Sequence, residues 1–209
     1  MRGARTPLDP PAPDTVWEDE DLARVDWDGA RLERVTFVGC RFDDASLAEV
    51  VTSRCVFERC VLTGVSMSSS RHEGSAFLSC RFDRAKLFGV RWIGCKLTGS
   101  QFPGATLRPM TSTESDWSYA SLRGADLAGV DLAGQRLTEA DLTDADLTGA
   151  DLSRADLRHA RLQGTRLRGA DLRGAETAGV NWQAFDLAGV RLDLAQALQF
   201  TAAHGALLD

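Results

Sequence analysis

Residues 140–160 read ADLTDADLTGADLSRADLRHA, in which the triplet Ala-Asp-Leu returns every five residues. Stepping by five from Leu142 in both directions gives an unbroken register from Leu22 to Leu192, which makes 35 pentapeptides. Thirty-one of the 35 central positions are apolar; the exceptions are Thr52, His72, Ser112 and Thr177. Two residues before each centre, 31 of 35 positions hold Ala, Val, Cys, Ser or Thr, the exceptions being Glu20, Met110, Gln135 and Phe185. An α-helix turns about 100° per residue, so a five-residue step would spread these leucines around its whole surface. A continuous strand repeats every two residues and fails as well. A short extended segment followed by a corner does fit. The centre and the residue two before it then face inward together, one large and one small. Glycine supports the corner: 17 of 19 glycines sit two residues after a centre, where a tight turn favours a residue that accepts positive φ.

A chain that turns every five residues and always faces inward coils into a solenoid. The run ADLTD ADLTG ADLSR ADLRH resembles the pentapeptide-repeat family over residues 20–192. That resemblance implies an all-β fold, a right-handed quadrilateral β-helix with four pentapeptides per coil. Thirty-five repeats then make nearly nine coils, a rod roughly 40 Å long at about 4.8 Å per rung. After Leu192 the period stops. Asp193 reads as an N-cap and Gly205 as a stop, with a short helix between them that caps the last coil. The expected organisation is a disordered or extended Pro-rich tail at 1–15, the β-helix at 16–192 and a capping and dimerisation segment at 193–209.

The chain has 209 residues and a net charge of −6. Direct nucleic-acid binding is disfavoured, because phosphate selects a basic footprint. The start carries no apolar signal segment, and nowhere do about 18 apolar residues run together, so no membrane span and a cytoplasmic location are expected. His72, His159 and His204 are isolated, no nucleophile–base pair stands out, and the glycines belong to corners. No enzyme and no cofactor are expected. Cys40, Cys60 and Cys80 fall in one column and Cys55 with Cys95 in another, read as reduced, small core residues without metal-ligand spacing.

Charge is unevenly placed. Residues 30–100 carry eleven basic and seven acidic side chains; residues 101–157 carry four and ten. At twenty residues per coil Asp131, Asp151 and Asp171 stack in one column and Asp126 with Asp146 in a second. These columns read either as a solvated face or as an acidic strip for a basic partner groove. Thr52, His72 and Ser112 share an inward column beside the least repeat-like segments, and mark an irregular face with looser turns or with bulged loops that meet a partner.

Three further stretches narrow the resemblance: RHEGSAF (71–77), KLTGSQFPGATLRPMT (96–111) and RLDLAQALQFTAAHGALLD (191–209). They are similar to the MfpA/Qnr-type branch of the family, which interacts with DNA gyrase and confers fluoroquinolone resistance. The resemblance implies a homodimeric rod that imitates B-DNA and binds gyrase, inhibiting it or protecting it from topoisomerase poisons. Asp116, Asp126, Asp131, Asp141, Asp146, Asp151, Asp156 and Asp171 would stand in for phosphates. Leu192, Leu194, Leu198, Phe200, Leu207 and Leu208 would cap the rod and join two chains, with the helix turning its Leu and Phe side chains onto the last coil. The unbroken register leaves no room for long protruding loops. A non-enzymatic scaffold for a partner other than gyrase remains the alternative, and the basic zone at 30–100, with Arg71 stacked on Arg91, faces away from gyrase or marks a different target.

Overall fold

The computed structural model describes residues 8–184 and 187–205. Each pentapeptide forms one side of a square coil, as the period requires. Residues twenty apart pair in parallel, from Val16 with Thr36 to Asp171 with Arg191. The right-handed quadrilateral solenoid expected from the sequence is the observed fold. Two of its four sides carry short strands in the N-terminal half. One sheet contains β1 (Val16–Glu18), β3 (Thr36–Val38), β5 (Val56–Glu58) and β7 (Ala76–Leu78), in that order. The other contains β2 (Arg31–Glu33), β4 (Val51–Ser53), β6 (Arg71–Glu73), β8 (Arg91–Ile93) and β9 (Thr111–Thr113). Elsewhere the sides are held by single parallel bridges, such as Asp126 with Asp146.

The interior is packed with buried side chains and sorted by size. In the first half aromatic rings stack down the axis: Phe37 on Phe57 at 4.9 Å, Phe57 on Phe77 at 4.6 Å and Phe82 on Phe102 at 4.7 Å. In the second half Leu127 to Leu157 and Ala140 to Ala155 fill the same positions, and all are buried.

The corners come in two kinds, distinguished by where one backbone N–H goes. In most, the inward small residue donates back to the carbonyl three residues earlier, as Ala145 does to Leu142 at 3.0 Å. The residue before it is left-handed: Gly149 has φ +67° and Asp144 +61°. After each of the nine strands that backbone bond is absent among the described residues. There the N–H meets a polar side chain from the inward small position one coil on. Cys55 donates to Ser75 Oγ, Cys80 to Ser100 Oγ, Cys95 to Ser115 Oγ and Ser115 to Gln135 Oε1, at 3.0–3.1 Å. The sulfurs of Cys40, Cys55, Cys60, Cys80 and Cys95 make the corresponding bond to the backbone of Glu20, Val35, Cys40, Cys60 and Ser75. A buried orphan N–H costs about 1–3 kcal/mol, so these positions need an acceptor that is also small. All five cysteines are buried and free. Burial pushes the Cys40, Cys55 and Cys95 thiols above the usual range.

Both ends are covered. Residues 8–15 of the proline-rich segment cross the first coil in irregular, extended form. The Leu8 carbonyl accepts the Trp27 indole N–H at 2.7 Å, Pro11 is buried, and Asp14 forms two hydrogen bonds with Arg34 at 2.6 and 2.9 Å. At the other end lies α1 (Leu194–Ala203), with Asp193 as its N-cap in a capping box with Gln196. The Gln196 amide donates to the carbonyls of Leu172 and Ala175, sealing the last coil with hydrogen bonds rather than with leucine.

Candidate partner-binding surface

The eight aspartates singled out by the repeat all sit one residue before an inward centre, at the start of a coil side. Asp131, Asp151 and Asp171 form one column and Asp126 with Asp146 another, as the twenty-residue spacing requires. Each first serves its own corner. Asp131, Asp146 and Asp151 accept the N–H of the residue two further on at 2.9 Å, and the other five do the same at 2.9–3.2 Å. This short carboxylate-to-backbone bond is the geometry in which Asp stabilises a turn, and it explains why Asp recurs here rather than Glu.

Arginines then divide the eight. Arg136 reaches Asp116 at 3.1 Å, Arg108 reaches Asp126 at 3.2 Å, Arg123 reaches Asp141 at 3.4 Å and Arg166 reaches Asp146 at 2.9 Å. Arg158 pairs with Asp156 at 2.7 Å, while Asp171 holds Arg173 at 2.7 Å and Arg191 at 3.2 Å. Except at Asp126, these aspartates are 12–24% exposed and their arginines 50–66%, so the outermost charge there is positive. The Thr148 and Arg166 hydrogen bonds lower Asp146 to about 2; Arg173 likewise lowers Asp171 to about 2. Hydrogen bonding to Arg158 holds Asp156 far below the ordinary range. Asp131 and Asp151, stacked on one side, have no arginine in ion-pair contact among the described residues. The sequence reading missed these arginines. Their signal is an Arg two or twenty residues after an Asp of the repeat, or eighteen before it.

Thr52, His72 and Ser112 do not mark bulged loops. Each is the buried middle residue of a strand, in β4, β6 and β9. His72 stacks on Trp92 at 4.5 Å, and its ring nitrogens meet Thr52 Oγ1 at 2.8 Å and Ser70 Oγ at 2.9 Å. Ser70 donates its own proton to the Met67 carbonyl, which leaves its oxygen to accept from Nε2–H. Nδ1 therefore accepts from Thr52, whose oxygen in turn faces Ser75 Oγ at 2.9 Å. Burial lowers the His72 pKa to about 3, so the ring is neutral. Ser112 bridges the Trp117 indole N–H and Gln135 at 3.0 Å each. The column is polar because its hydroxyls and imidazole satisfy one another inside the core, not because the face is loose.

At the C-terminal end Leu192 is partly buried against the core, and Phe200 meets Trp182 edge to face at 6.3 Å. Leu194 and Leu198 are 75% and 42% exposed, contrary to the expectation that the helix turns them onto the last coil. Leu207 and Leu208 lie outside the described residues. Among the described residues no three His, Cys, Asp or Glu side chains are grouped to hold a metal, and no helix is long and apolar enough to cross a membrane.

A family model described as Pentapeptide repeats matches at residues 40–71, 113–144 and 136–174, with eight copies. Over 90 residues the chain is 43% identical to pentapeptide repeat protein MfpA of Mycobacterium tuberculosis (strain ATCC 25618 / H37Rv), covering 43% of this chain and 49% of that protein. The match thus spans about half the length of that relative. Trypsin-treated QnrB1, a plasmid-mediated fluoroquinolone resistance protein, superposes with a TM-score of 0.82 at 23% identity, over 93% of this chain and 97% of that one. Full-length QnrB1 gives 0.71 at 22% identity, over 92% and 98%. Repeat register, square coils and these likenesses agree: the chain carries pentapeptide repeats on a QnrB1-like fold, and over 90 residues it is similar to MfpA.

Proposed function

We propose that this rod binds DNA gyrase in place of DNA, and that binding inhibits the enzyme or protects it from fluoroquinolone-type poisons. The observation that carries the proposal is the 43% identity to MfpA over 90 residues. The QnrB1-like fold supplies a rod of fitting shape. The acidic coils 101–157 supply a surface for a cationic groove built to hold phosphates. Within them Asp131 and Asp151 have no arginine in ion-pair contact among the described residues. Aspartates paired at the surface contribute less, though such exposed pairs are worth only about 0–1 kcal/mol and open readily to a competing cation. The protein acts by binding and carries out no reaction of its own. Two copies join through their C-terminal ends, where Leu194 and Leu198 leave an apolar surface on α1.

The direct test is a supercoiling and drug-stabilised cleavage assay with the protein in molar excess over gyrase. Reduced supercoiling or reduced fluoroquinolone-stabilised cleavage is expected, and no effect on either contradicts the proposal. Light scattering in the micromolar range is expected to give twice the mass of the chain. The arginine cover over six of the eight aspartates favours one competing reading, a scaffold for a partner other than gyrase. Affinity capture that recovers such a partner and no gyrase subunit would establish it.

A further inference from the structure

One outward patch is explained neither by the fold nor by an acidic surface. It lies on a single side of the rod, from Ser66 to Arg108, in the half of the chain where basic residues outnumber acidic ones. Ser66, Lys86 and Thr106 stack along it, and Phe88 follows Lys86 two residues on. Phe88 is 54% exposed, although its column neighbours Ala48, Ser68, Arg108 and Ala128 show that the fold asks for no large apolar residue there. Lys86 and the exposed Arg91, which opens the next side, have no ion-pair partner among the described residues. No acidic side chain belongs to this stretch of the side; at its margins Glu73 and Asp126 are held by Arg71 and Arg108, and exposed Glu49 lies one rung before it. A shallow groove of about 190 Å³ runs beside Arg91 between Gly89 and Met110.

We propose that this patch docks a short acidic segment of a partner protein, with one large apolar side chain seated against Phe88 and the groove. Charge complementarity selects an acidic segment: Lys86, Arg91 and Arg108 are the exposed charges, and the serines add hydrogen-bond donors. Size argues for a short peptide over a nucleic-acid strand. The patch covers only three rungs, roughly 10–15 Å, and is followed by the net-acidic coils of residues 101–157, which repel a polyanion that overruns it. Apolar anchoring at Phe88 supplies what exposed charges alone do not, since such charges are screened by salt. The proposal is independent of the gyrase reading, for it concerns a different part of the rod and a partner of opposite charge.

The test uses the full chain and a fluorescein-labelled nonapeptide of aspartates and glutamates with a central phenylalanine, followed by fluorescence anisotropy at low salt. Binding is expected, weakened about tenfold or more by Lys86→Glu with Arg91→Glu, and several-fold by Phe88→Ala or by serine in place of the peptide's phenylalanine. Arg59→Glu, on another side of the rod, leaves it unchanged. All these positions are exposed, and unchanged circular dichroism verifies folding. Absence of binding, equal binding by the Lys86 and Arg91 variant, or tighter binding of an oligothymidylate of equal charge would overturn the proposal.

Discussion

The two halves of the rod share one period but solve the corner differently. Up to β9 the strand-bearing sides leave a backbone N–H without a local acceptor, and Cys, Ser or Gln from the next coil supplies one. Beyond Gln135 the corners among the described residues close on their own carbonyls, and Ala, Thr or Val suffices. The aromatic stacks follow the same division, with Phe and Trp in the first half and Leu in the second. A repeat can thus change its side chains without changing its pitch, provided that the corner N–H still has a partner.

The largest expected effect tests the stacks. Phe57→Ala removes the middle ring of a three-ring column and should destabilise by about 4–5 kcal/mol; Leu142→Ala, in the aliphatic half, should cost about 3 kcal/mol. Denaturant unfolding of the two variants measures the difference, and equal losses would mean that ring stacking adds nothing. Next is the buried imidazole. His72 folds with a pKa near 3 against about 6.5 unfolded. Below pH 6.5 the unfolded chain therefore takes up a proton that the folded chain refuses, and stability falls by about 1.4 kcal/mol per pH unit. The protein should be about 2 kcal/mol less stable at pH 5 than at pH 7, a window above the carboxylate range, and His72→Gln should flatten that slope.

A smaller effect separates the corners themselves. Cys60→Ala leaves the Cys40 amide without an acceptor and should cost about 1–2 kcal/mol, most of it restored by Cys60→Ser. Ala140→Ser, at the same position of a turn-type corner, should bring no gain, because the Ala120 N–H already bonds Trp117. The smallest is Gly149→Ala, where no atom lies within 4 Å of an added Cβ and only the left-handed backbone is strained, by about 1 kcal/mol.

The sequence showed the coil, the inward pair and the glycine corners because these are local and recur. It did not show which sides become strands, since that depends on partners twenty residues away. For the same reason Cys60 read as filler when it caps an amide, and His72 read as an irregularity when it is satisfied by Thr52 and Ser70. The aspartate columns were legible from spacing, but their arginine cover was not: Arg136 and Arg166 meet their aspartates across coils. Leu194 and Leu198 face outward because Gln196 took the place on the last coil, a polar contact that an apolar pattern does not reveal.

The central functional claim rests on which aspartates present charge. Supercoiling by gyrase, titrated with wild-type protein, with Asp131→Asn plus Asp151→Asn, and with Asp156→Asn plus Asp171→Asn, tests it directly. The account predicts that the first pair weakens the effect about tenfold or more and that the arginine-covered second pair changes it only a few-fold. Equal effects of both pairs, or no effect of wild-type protein on gyrase at all, would contradict it.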